Sequence, residues 1–142
     1  MKTLRLLMFF TVIVFFCSCE NFDWFKTDQG LDEDIHGTWK REFLGAAHPQ
    51  FLEENWYFKD GKIVITRETI DYTTDTVDIG SYSTDGKLTV SYLNISGLTN
   101  STDTVIKQYN NKWTITQLDS KVLYLVVNSS GGGLIQREFE KK

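Results

Sequence analysis

From residue 35 onward the chain is a succession of short runs in which apolar residues alternate with polar ones or form unbroken stretches, separated by turn chemistry. Residues 37–44 put Trp39, Arg41 and Phe43 on one face, and residues 55–59 set Trp56 and Phe58 against Tyr57. Asp60-Gly61 is a strong hairpin signal, because a type I′ turn needs positive φ at both central positions. Ile63 and Ile65 share a face in residues 62–68. Runs 76–84 and 87–93 flank Asp85-Gly86, which reads as a second hairpin of the same kind. Residues 112–118 carry Trp113 and Ile115, residues 121–127 are apolar on both faces, and residues 134–140 align Ile135, Arg137 and Phe139. Residues 104–109 read either as a strand turned by Asn110-Asn111 or as part of the following strand through a bulge. No long stretch has helical spacing, and Pro49 limits residues 46–54 to a turn or two. Sequential hairpins with short links predict an all-β fold, an antiparallel up-and-down barrel of eight strands, or nine with 104–109. Closing such a sheet removes its exposed edges.

The first 34 residues follow other rules. Lys2 and Arg5 precede an uncharged apolar run over 6–16, and small Ser18 stands before Cys19. The run is too short for the roughly 20 residues that span a bilayer as a helix, so residues 1–18 read as a secretory signal. The stretch Phe16-Cys17-Ser18-Cys19 resembles a bacterial lipobox, departing from it in Phe16 and Cys17. That resemblance implies acylation of Cys19, a membrane contact through acyl chains such as palmitate, and residence in the cell envelope at the outer membrane. Residues 19–34, rich in Asp and Glu with Gly30 in their midst, read as the lipidated cysteine and an acidic tether. Residues 35–142 form the barrel domain.

Charge and chemistry narrow the function. Without residues 1–18 the chain has 13 basic and 19 acidic residues, a net of −6. It has no basic cluster, which argues against nucleic acid as a partner. His36 and His48 are the only histidines, and no cysteine follows Cys19. Glu53 and Glu54, as neighbours on a strand, point to opposite faces. Gly131-Gly132-Gly133 lies between two strands and reads as a hairpin loop, not a phosphate cradle. The reading is of a protein that is not an enzyme, with no catalytic residues, no metal and no cofactor.

Gly37-Thr38-Trp39 resembles the G-x-W motif of the lipocalin and calycin group. Phe58 to Gly61, Gly80 to Val90, Trp113 to Leu118 and the final Phe139-Glu140-Lys141 resemble, in order, lipocalin-like lipoproteins of anaerobic gut bacteria. The resemblance implies that Gly37 and Trp39 close the barrel floor with an arginine over the indole, by position Arg137, with Arg41 as rival. The barrel pattern and the aromatics at inward parity lead to a binding protein that takes a small apolar or glycan-like ligand. His48, in the loop over the mouth, and Trp56, Phe58 and Trp113, at inward parity, are the candidate ligand-facing residues. The alternative is a filled barrel serving as a protein–protein or inhibitor module of the envelope. Asp75-Thr76-Val77 and Asp103-Thr104-Val105 are similar to the D-(S/T)-apolar sequon of bacterial O-glycosylation, which makes Thr76 and Thr104 candidates for modification.

Overall fold

The computed structural model describes residues 26–43, 50–100, 103–129 and 131–142. The signal segment, Cys19 and His48 lie outside these residues. Helix α1 (Asp28–Ile35) leads into strands β1 (Gly37–Glu42), β2 (Phe51–Lys59), β3 (Lys62–Thr69), β4 (Thr74–Gly86) and β5 (Ser91–Ser96). Helix α2 (Thr104–Tyr109), β6 (Lys112–Leu118), β7 (Val122–Asn128) and β8 (Leu134–Lys141) follow. The eight strands form a closed antiparallel barrel in sequence order. No helix among the described residues is long and apolar enough to cross a membrane.

Local chemistry explains most of the path. Asp60 and Gly61 have φ of 50° and 72°, as a type I′ turn requires. The Asp85-Gly86 signal is overturned: β4 runs through Gly86, and Lys87 N donates to Val90 O to close the turn four residues later. Gly86 serves packing instead. A Cβ there would lie 2.4 Å from the Lys26 carbonyl oxygen, because α1 docks against this point.

Two segments expected as something else are helices. Residues 104–109 turn as a helix because Asp103 caps it, accepting from Val105 N and Ile106 N. Ile106 and Tyr109, three residues apart, then share a buried face. That settles the strand count at eight. Within the expected tether, Asp28–Ile35 is also helical, capped by Thr27 and burying Leu31 and Ile35. Asp28 holds it to the barrel by accepting from Gly86 N and Thr84 Oγ1. The folded body therefore begins by Lys26.

Helix α1 stands at the end of the barrel where β1 begins, beside the β4–β5 hairpin. At this floor Trp39 Nε1 donates to Ile35 O at 2.6 Å. The cation above the indole is Lys141, its Nζ 4.4 Å from the ring centroid, and not Arg137 or Arg41. Register gives the reason. Trp39 pairs directly with Lys141, whereas Arg137 sits four residues back along β8, about 13 Å away at strand rise. Lys141 Nζ also donates to the carbonyls of Asp34 and His36, tying the last strand to the end of α1.

Candidate functional site

Inward parity along β1, β2 and β3 builds tiers above that floor. Register sets Trp39, Trp56 and Ile65 side by side in one tier. Trp56 is the centre of an aromatic packing: ring centroids of Phe139, Tyr109, Phe58 and Trp113 lie 4.5, 4.8, 6.2 and 6.5 Å from its own. Trp56, Phe58 and Trp113 are all 0 % exposed. These side chains, expected to face a ligand, are packed against one another inside the barrel. Trp113 Nε1 finds its acceptor in Tyr109 O.

The next tier is charged. Arg41, Glu54 and Arg67 are direct cross-strand partners on three adjacent strands, so their side chains meet at the spacing of paired residues. Glu54 is 0 % exposed and Arg67 is 3 % exposed. One carboxylate serves four donors: Oε1 accepts from Arg41 Nη2 at 3.3 Å, Trp56 Nε1 at 3.0 Å and Tyr109 OH at 2.8 Å, while Oε2 accepts from Arg67 Nε at 2.8 Å. A buried charge is tolerable when it is paired and hydrogen-bonded in this way. Helix α2 completes the tier: Arg67 Nη1 donates to the Asp103 carboxylate, the group that caps the helix. The guanidinium carbons of Arg41 and Arg67 also lie 5.0 and 5.6 Å from the Phe43 ring centroid.

These contacts set the titration behaviour. Burial drives the Tyr109 hydroxyl well above its ordinary value, and the Glu54 charge adds to that. Burial alone would raise the Asp103 carboxyl. The hydrogen bond and charge of Arg67, with the N–H groups of Ile106 and Val105, outweigh burial and hold it below its usual value. A carboxyl lowered in the folded state stabilises the fold above the unfolded value near about pH 4 and loses that contribution as pH falls through the folded value. Acid titration of stability is therefore expected to show a decline below about pH 4. Asp103→Asn, which keeps a capping acceptor without the charge, is expected to remove part of that slope in denaturant melts at stepped pH.

With four donors on Glu54, the tier is a connected hydrogen-bond network across three strands and α2. Among the described residues no group of His, Cys, Asp and Glu is arranged to hold a metal. Comparison of the chain with known families, curated proteins and solved structures finds no match. The closed antiparallel barrel of eight strands is compatible with a lipocalin-like fold.

Two hollows flank the charged tier. A groove of about 470 Å³ at the mouth is lined by Arg67, Thr76, Val77, Asn100 and Thr104 among others. It brings together both Asp-Thr-Val repeats, and Thr76 and Thr104 are exposed there. A second, half-open cleft of about 330 Å³ lies between β1 and β8 and includes Arg41 and Arg137. The charged tier has a signal in the sequence that alternation alone does not assemble, since Glu54 shares parity with Trp56 and Phe58, and Arg67 with Ile65 and Ile63.

Proposed function

We propose that this chain is a lipid-anchored envelope protein that acts as a protein-interaction or inhibitor module, with the barrel as a solid scaffold. The observation that carries the reading is the filled interior, in which Trp56 is packed by Phe58, Tyr109, Trp113 and Phe139. Recognition then belongs to the outside. Acylation at Cys19 would put the anchor seven residues before Lys26, at most about 25 Å of chain away. The α1 end would face the membrane and the α2 mouth would face away. At that distal end Ile70, Tyr72 and Leu134 are 55 %, 79 % and 59 % exposed, and Tyr72 holds a φ of 58°. An aromatic residue kept exposed in the left-handed region supports a contact role for the β3–β4 loop.

Site-specific photo-crosslinking in the intact envelope tests this. A photoreactive residue in place of Tyr72 is expected to yield covalent protein adducts, and one in place of Lys121, at the α1 end, none. Adducts from neither position would overturn the reading. So would saturable one-to-one binding of palmitate or a hydrophobic dye with a change in tryptophan fluorescence, which would restore the ligand cup.

A further inference from the structure

We propose that the cleft between β1 and β8 is a carboxylate-binding site whose donors are Arg41 and Arg137. The two strands pair only through Trp39–Lys141 and Lys40–Glu140. Beyond those pairs the strands leave the half-open cleft that both arginines line. Arg137 lies on the inward side of β8 with Ile135 and Phe139, yet no carboxylate among the described residues is within ion-pair distance of it. Among the described residues its Nη1 donates to the carbonyl of the adjacent Gln136. The Nε atoms of Arg137 and Arg41 are both buried and have no hydrogen-bond partner among the described residues.

Tyr109 ties the two guanidinium groups to one place. Its hydroxyl accepts from Arg41 Nη2 at 3.1 Å, and the Arg137 guanidinium carbon lies 5.8 Å from its ring centroid. The inward charges of this end are Arg41, Arg67 and Arg137 against Glu54 and Asp103, and the last two are engaged by Arg41 and Arg67. Among the described residues Arg137 is the one of these three cations with no carboxylate beside it, and Arg41 Nε, Arg67 Nη2 and Arg137 Nε lack acceptors. Inward charges are ordinarily paired, so two guanidinium groups lining one cleft point to an anion from outside the chain.

The planar guanidinium fork suits a carboxylate. The rim selects against more highly charged anions, because Glu42, Glu138 and Glu140 surround the cleft and the nearby cation, Lys40, is already engaged by Glu42 and Glu140. Its volume of about 330 Å³ lies at the lower end of the range for ligand pockets. It suits a small monocarboxylic acid or the terminal carboxylate of a peptide. The site does not depend on the interaction-module reading, and either source supplies the same chemistry.

The test is an NMR titration of the nitrogen-15-labelled full chain in detergent with sodium benzoate, following the arginine Nε–H resonances. Arg41 and Arg137 are expected to shift together and saturate with one millimolar constant, while benzamide, the neutral analogue, leaves them in place. Arg137→Gln is expected to weaken benzoate by about tenfold or more. Arg137→Lys, which keeps the charge and loses the fork, should fall between the two if the glutamine variant folds poorly. A peptide such as Ala-Ala-Phe with a free C-terminus, compared with its amide, separates the sources. Tighter binding of the free peptide than of benzoate assigns the site to a chain terminus, and the reverse assigns it to a small acid. No saturable shift, an equal response to benzamide, or unchanged affinity in both Arg137 variants overturns the proposal.

Discussion

Replacing Glu54 with alanine is expected to lower the unfolding free energy by about 3–5 kcal/mol, the range seen when one partner of a buried ion pair is removed. The side chain is fully buried and accepts from four donors. Its loss leaves Arg41 without a carboxylate, Arg67 with Asp103 alone, and the Trp56 and Tyr109 donors unpaired. Against a total stability of about 5–15 kcal/mol for a domain of this kind, such a loss removes much of the margin. The measurement is urea unfolding followed by tryptophan fluorescence, where the midpoint should fall while the slope stays constant. Glu54→Gln keeps the shape and one acceptor and is expected to lose less. The double variant Glu54→Leu with Arg67→Met removes both charges and their desolvation cost together, so it should recover part of the loss. A loss below about 1 kcal/mol in Glu54→Ala, the size of an ordinary surface change, would show that the carboxylate does not hold the tier together.

Trp56→Ala carries the second large effect, again about 3–5 kcal/mol for an aromatic truncated in a packed core. The substitution empties the centre of the aromatic packing and also removes the Nε1 donor to Glu54. Its informative consequence is a gain. A void bounded by Phe58, Trp113 and Phe139, with Glu54 Oε1 at its edge, suits a flat aromatic molecule with one N–H donor, as engineered cavities take up ligands that match their lining. Indole is expected to raise the melting temperature of Trp56→Ala in a concentration-dependent way, as a ligand that binds only the folded state must. The parent protein should show no such rise. Equal stabilisation of both proteins by indole would mean that the parent barrel already holds space.

Much of this architecture was legible in the chain itself. Alternation placed Trp39, Trp56, Phe58, Trp113 and Phe139 inside, and the Asp60-Gly61 turn formed as its φ requirement dictates. Asp85-Gly86 was misread because the glycine answers a tertiary demand, the close approach of the Lys26 carbonyl. Helix α2 was missed because six residues are too few for a periodic signal, although Asp103 at its cap was the local clue. Helix α1 escaped because its docking face is only Leu31 and Ile35, set among acidic residues. Lys141 replaced Arg137 over Trp39 because strand register, which alternation does not fix, decides which cation arrives. The charged tier needed the same knowledge, since Arg41, Glu54 and Arg67 lie far apart in sequence and meet only through two registers.

The barrel interior is filled by its own side chains. Xenon-pressurised crystals of the protein test it most directly, because xenon enters dry apolar cavities without demanding a particular ligand chemistry. No xenon is expected between Trp56, Phe58, Tyr109 and Trp113. One or more xenon atoms bound along the barrel interior would contradict it and return the search to a small apolar ligand.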